Sequence, residues 1–220
     1  MRSKHQKSHK KLITVILSVL IGVAAVAMYF AVSHKREPVT VAQIDGVFLP
    51  TPKDISDFKL TDNAGQAFTK ESLKGHWTLM FFGFTNCGMV CPTTMSALNK
   101  MYTTLAMDVP RDQMPQVVMV SVDPDRDSVQ RMNEYVTSFN PHFIGARAQM
   151  PQIESLEKEL HLVAVKMDVE GQGKDNYTIN HSAEILVFNP NGQLQAFMSS
   201  PHKPEQMVKD VKSMLMTSTL

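Results

Sequence analysis

The sequence predicts an α/β fold: a three-layer α/β/α sandwich with an N-terminal transmembrane helix. Three observations predict it. Apolar runs of strand length alternate with stretches of helical period over residues 54–220. Crossover helices are mixed with hairpins, an order that a central sheet with helices on both faces satisfies. An uncharged run of 21 residues, Leu12–Val32, precedes them all.

As a helix that run rises about 1.5 Å per residue and spans roughly 30 Å, the thickness of a bilayer core. Five basic residues precede it (Arg2, Lys4, Lys7, Lys10, Lys11) and two follow it (Lys35, Arg36). The positive-inside bias then puts the N-terminus in the cytoplasm and everything after residue 36 outside. The expected organisation is a basic cytoplasmic tail (1–11), a membrane anchor (12–32), a tether (33–53) and a folded domain (54–220). Ala25-Val26-Ala27 has the small-x-small form of a signal-peptidase site, so a cleaved leader is the alternative. Apolar residues continue past it through Met28, Phe30 and Val32, which favours the anchor. The short basic tail lacks the extended Arg- and Ser-rich character of a transit peptide. The expected location is therefore a bacterial inner membrane, single-pass, with the globular domain periplasmic.

The net charge of +1 hides an asymmetry. Residues 1–36 hold seven basic and no acidic side chains, leaving 15 basic against 21 acidic in residues 37–220. A mildly acidic body argues against a nucleic-acid surface. Only two cysteines occur, Cys87 and Cys91. A pair four residues apart closes too short a loop to staple a fold, so chemistry is the better reading.

Residues 33–53 hold Pro38, Pro50 and Pro52 and read as a tether with room for one edge strand. Ile55–Leu60 and Gln66–Thr69 flank a turn at Asp62-Asn63-Ala64-Gly65, forming a hairpin. Trp77–Phe84 is a continuous aromatic-rich run, as a central buried strand requires. Pro92 opens a helix on which Met95, Leu98, Met101, Tyr102 and Leu105 recur at three- and four-residue spacing. Gln116–Val122 is a second buried strand. Asp127 with Gln130 resembles a helix N-cap and its partner, followed by an amphipathic stretch to Phe139. Gln152–Leu160 is a further helix and Val163–Met167 a short strand. Residues 168–180 form a polar loop. Ala183–Phe188 and Gln193–Met198 make a hairpin, and Pro204–Met216 closes the chain as a helix. A sandwich of the thioredoxin kind fits this order. Most of the sixteen methionines, such as Met80, Met101 and Met119, fall at core positions.

Cys87 and Cys91 lie where a buried strand runs into a helix. The carboxyl end of a parallel strand is where α/β folds build sites. A helix N-terminus offers free N–H groups that stabilise thiolate. Two sulfurs at i, i+4 suit a soft ion such as Cu(I), and equally a disulfide. His181 lies just before a strand, in the loop expected to face the cysteine turn, and adds a nitrogen donor. His5, His9, His34, His76, His142, His161 and His202 have no comparable placement.

Three ordered segments carry a resemblance. FGFTNCGMVCP (82–92) is similar to the FGFTxCxxxCP segment of Sco/SenC proteins, VSVDPDRD (120–127) to VSVDPxRD, and NHSAEILVFNPNG (180–192) to xHSxxxxLxxPxG. It spans about residues 45–216. It implies a thioredoxin-like copper protein that helps build the copper site of cytochrome c oxidase. It implies Cys87, Cys91 and His181 as copper ligands. It implies as partners a copper-site subunit of the oxidase and a copper donor protein. Asp123 is either a residue that orients a ligand or a turn residue before Pro124. The chain departs from the family pattern at Asn86, Gly88, Met89 and Asn180, where that pattern has His, Pro, Asp and Asp. Loss of two acidic groups should favour Cu(I) over Cu(II).

The leading expectation is a copper metallochaperone rather than an enzyme. The alternative is a membrane-anchored thiol–disulfide oxidoreductase, with Cys87 as nucleophile and Cys91 as resolving thiol. A peroxidase resting on Thr85-x-Cys87, and a sensor that only binds, are the remaining readings. His181 separates the first two, because a pure dithiol exchanger has no need of it.

Overall fold

The computed structural model describes Gly22, Met28, 44–168 and 177–217. The expected tail, most of the 12–32 span and most of the tether lie outside the described residues. No helix of the described residues is long and apolar enough to cross a membrane. The chain divides into two units, Met1–Thr40 and Val41–Leu220; the folded domain is the second.

Among the described residues, ten strands and four α-helices build it. The strands are β1 (Gly46–Lys53), β2 (Lys59–Asp62), β3 (Ala67–Thr69), β4 (Thr78–Gly83), β5 (Gln116–Ser121), β6 (Ile144–Arg147), β7 (Ala164–Asp168), β8 (Tyr177–His181), β9 (Ile185–Phe188) and β10 (Leu194–Met198). The helices are α1 (Val90–Leu105), α2 (Val129–Phe139), α3 (Met150–Leu160) and α4 (Pro204–Thr217). Eight strands form one sheet in the order β1-β10-β9-β4-β5-β6-β2-β3, while β7 and β8 pair separately. The centre, β4–β5–β6, is parallel, and β9 joins β4 antiparallel.

All six residues of β4 are buried. That is the physical meaning of its unbroken apolar run: a central strand covered on both faces has no polar side to show. The predicted helical stripe is also present. Cys91, Met95, Leu98, Met101 and Leu105 form the buried face of α1. α1 packs against α4, and α2 packs on β6.

Gly46–Lys53, within the expected tether, is the edge strand that stretch had room for, paired antiparallel with β10. Three expectations change. Ile144–Arg147, read as no element, is β6; its Ile-Gly-Ala-Arg sequence is too short to show a period. Asp127 does not cap α2. Ser128 does, accepting from the Arg131 amide at 3.1 Å. The span 168–180, read as loop, has Asp168 as the last residue of β7 and Tyr177–His181 as β8. A five-residue polar strand with one buried residue gives too short an alternation to stand out from a loop.

Candidate metal centre

The loop between β4 and α1 forms because the strand ends in a tight turn. The Cys87 amide donates to the Phe84 carbonyl at 3.3 Å. The helix then starts without an oxygen cap and with no acidic residue in its first turn; Met89 is its N-cap position. The Cys87 sulfur fills that role. The Cys91 amide donates to Cys87 Sγ at 3.5 Å. A helix start rewards negative charge there.

Gly83 lets the second sulfur come close to the sheet. A Cβ at this position would lie 2.8 Å from the Phe81 ring and 2.9 Å from Cys91 Sγ. Cys91 is fully buried and Cys87 half-buried, and both are free thiols.

His181, the last residue of β8, completes the group. Its Nε2 is 3.4 Å from Cys91 Sγ, and its Nδ1 is 2.9 Å from the Ser182 carbonyl. A carbonyl can only accept, so Nδ1 carries a proton and Nε2 is left as the donor atom facing the sulfurs. The ring is braced edge-on by Phe81 and Phe84, with centroids 5.7 and 5.8 Å away. The two sulfurs and the nitrogen all lie within 4.8 Å of one another. Three equal bonds of about 2.3 Å in a plane set donors about 4 Å apart, so one ion fits with little movement. Two thiolates and an imidazole are a donor set suited to copper.

Electrostatics divides the two sulfurs. A hydrogen bond from the Cys91 thiol, opposed by burial and helped by His181, holds the Cys87 thiol down at about 3. The Cys91 thiol is pushed well above its ordinary range, because its proton bonds Cys87 and because it is buried. Of the two sulfurs, the more exposed Cys87 is thus the easier to ionise. Burial opposes charge on His181, but hydrogen bonds to Cys87 and the Ser182 carbonyl prevail and raise its pKa.

A buried polar network supports this loop. Asp127, 0% exposed, accepts from the Thr85 amide at 3.2 Å, Thr85 Oγ1 at 2.5 Å and Ser121 Oγ at 2.6 Å. Arg131 Nε donates to Thr85 Oγ1 at 2.7 Å. Asp127 thereby ties the residue two before Cys87 to the end of β5. The adjacent Asp125-Arg126-Asp127 run in the sequence was the available signal. Met89 is 76% exposed, so its thioether faces solvent.

Fold and site together define a thioredoxin-like α/β domain with a Cys₂His group, able to hold a metal ion, at the end of its central strand. A family model described as SCO1/SenC matches residues 50–216, and the chain belongs to the SCO1/SenC family. It is 31% identical to Bradyrhizobium japonicum ScoI solved with copper bound, covering 72% of this chain and 98% of that one at a TM-score of 0.64. Arabidopsis thaliana ScoI with copper bound is 27% identical, covering 72% of this chain and 96% of that one at a TM-score of 0.65. An SCO2-like protein of Rickettsia prowazekii is 30% identical over 190 residues, 86% of this chain and 89% of the relative.

Proposed function

We propose that the protein is a copper metallochaperone, which binds copper through Cys87, Cys91 and His181 and hands it to the copper site of cytochrome c oxidase. The observation that carries this is the donor triangle itself, with His181 Nε2 turned to two free sulfurs. Copper is the cargo. Cys87 is the more readily ionised sulfur and meets the ion first. Cys91 must give up its proton for both sulfurs to ligate, so uptake releases acid and requires reduced cysteines. A site with three protein donors on the half-exposed side of Cys87 leaves room for an incoming ligand from a client. The partners are then a copper donor and the copper-site subunit of the oxidase. Residues 12–32 anchor the chain in a bacterial inner membrane, with the domain in the periplasm. Reporter fusions after residue 40 test that orientation: activity of a reporter that folds only outside the cytoplasm supports it, and inactivity refutes it.

The deciding experiment is Cu(I) titration of the reduced full-length chain against a competing chelator, beside His181→Ala and Cys91→Ala. One tight equivalent, weakened by both substitutions, is the expected result. Binding that survives loss of His181 would overturn the Cys₂His assignment.

One observation favours a second reading. Cys87 is a half-exposed, readily ionised sulfur beside the buried Cys91, the arrangement of a thiol–disulfide reductant. Cys87 would attack a client disulfide and release one client thiolate. Cys91 would then displace the second, leaving Cys87–Cys91 oxidised and the client dithiol reduced. Retention of oxidase assembly in His181→Ala would favour this reading.

A further inference from the structure

The ribbon that carries His181 is not part of the main sheet. Four of the five residues of β7 are exposed, and β8 buries only Ile179. A two-stranded ribbon is marginal by itself in water, so its placement depends on what pins it. At the end of β8 opposite His181, Tyr177 Oη donates to Asp123 Oδ1 at 2.6 Å. Asp123 is 1% exposed, and its other oxygen accepts from Arg126 Nε. Arg126 Nη1 donates to the Tyr177 carbonyl at 3.0 Å, and the guanidinium carbon lies 3.7 Å from the Tyr177 ring centroid. On the neighbouring strand, Lys166 Nζ lies 4.1 Å from the same centroid and 3.3 Å from Asp125.

The other half of this contact is firmly held. Asp123, Asp125 and Arg126 belong to the loop after β5, whose Asp123 amide donates to Ser121 Oγ at 3.0 Å. Ser121 Oγ in turn donates to the buried Asp127. The ribbon is therefore clasped to the same network that supports the cysteine loop.

We propose that Asp123, Arg126 and Tyr177 form a latch that docks the β7–β8 ribbon and so sets His181 opposite the two sulfurs. They are positioning residues and supply none of the three donor atoms. The lever is short. Four residues of strand separate Tyr177 from His181, about 13 Å. A swing of about 10° at the latch moves the imidazole by about 2 Å, enough to take Nε2 out of reach of a shared ion. The ribbon gives the core Ile179, with Ala164 and Tyr177 packed against it, but it pairs with no strand of the main sheet, so releasing the latch leaves that sheet paired. The affinity part of the test rests on the copper reading; the dynamic part does not.

The test uses the full-length chain as wild type, Tyr177→Phe and Asp123→Asn, each with and without His181→Ala. Tyr177→Phe removes one hydroxyl and keeps the ring. In metal-free protein, amide hydrogen exchange in β7 and β8 should quicken about tenfold in both latch variants, with β4, β5 and β9 unchanged. Cu(I) affinity, read against a chelator, should fall about tenfold on the wild-type background and not at all further on the His181→Ala background. Unaltered exchange in the ribbon overturns the latch. Equal losses of affinity on both backgrounds also overturn it, because the effect would then not pass through His181. If the wild-type chain binds no copper, the metallochaperone reading falls and the exchange measurement still decides the latch.

Discussion

Replacing Gly83 with Ala tests how the second sulfur is placed. The added methyl would stand 2.8 Å from the Phe81 ring and 2.9 Å from Cys91 Sγ. Unstrained carbon contacts lie at about 3.5–4.0 Å, so each contact is too short by about 0.6 Å or more. Neither neighbour has free space. Phe81 and Cys91 are both 0% exposed, one in the central strand and one in the first turn of α1. Overpacking of this kind costs about 1–3 kcal/mol, and two buried neighbours, one of them able to turn, place this site near the middle of that range. The softer way out is rotation of the Cys91 side chain, which carries Sγ away from His181 Nε2, now 3.4 Å distant. We expect urea denaturation of the reduced, metal-free chain to show a loss of about 2 kcal/mol. We expect Cu(I) competition to show at least a tenfold weaker site. Stability within about 0.5 kcal/mol of wild type, with unchanged copper affinity, would refute the packing account of Cys91.

Asp127→Ala leaves the Thr85 amide and the Thr85 and Ser121 hydroxyls without their acceptor; the hydroxyls can turn elsewhere, so a loss of about 3 kcal/mol in urea denaturation is expected, and less than about 1 kcal/mol would contradict the network's role. Glu157, 7% exposed on α3, is held up at about 7 by burial and by Glu154, with His181 opposing. The unfolded group titrates near 4.5, so between pH 4.5 and 7 the unfolded chain loses a proton that the folded chain keeps. Stability therefore falls as pH rises through that window and is level above it. Glu157→Gln should flatten the fall and stabilise the chain at pH 8 by on the order of 2 kcal/mol; an unchanged slope in denaturation at several pH values would exclude Glu157 as its source. Met89→Asp puts a carboxylate at the N-cap of α1 between the two cysteines and should raise Cu(II) affinity about fivefold, roughly 1 kcal/mol. Asn180→Asp should raise it less than about twofold, because successive side chains of β8 point to opposite faces and His181 takes the inner one; equal gains measured by Cu(II) titration would overturn that placement.

The two sulfurs were legible because their signal is local. A four-residue spacing at a strand-to-helix junction fixes where Cys87 and Cys91 sit, whatever the rest of the chain does. His181 was legible only by its place before the β9–β10 hairpin and by resemblance. Its strand, β8, was not, since Ile179 is the one buried residue in a five-residue polar run, too short for its alternation to stand out. Asp127 was read as a helix cap because Asp before a helical pattern usually is one. Its carboxylate instead turns inward to residues 42 and six positions away. Tyr177 gave no signal, because its partner Asp123 is 54 residues distant.

The sequence by itself determined the central strands, the helical face of α1 and the dithiol, because these depend on composition and on periods of a few residues. Only the tertiary structure decided which side chains meet: Gly83 against Cys91, Asp127 beneath Thr85, the ribbon on Asp123, and Nε2 rather than Nδ1 of His181 toward the sulfurs. Those choices depend on contacts between residues far apart in the chain, and such contacts exist only once the sheet has assembled and excluded water around them.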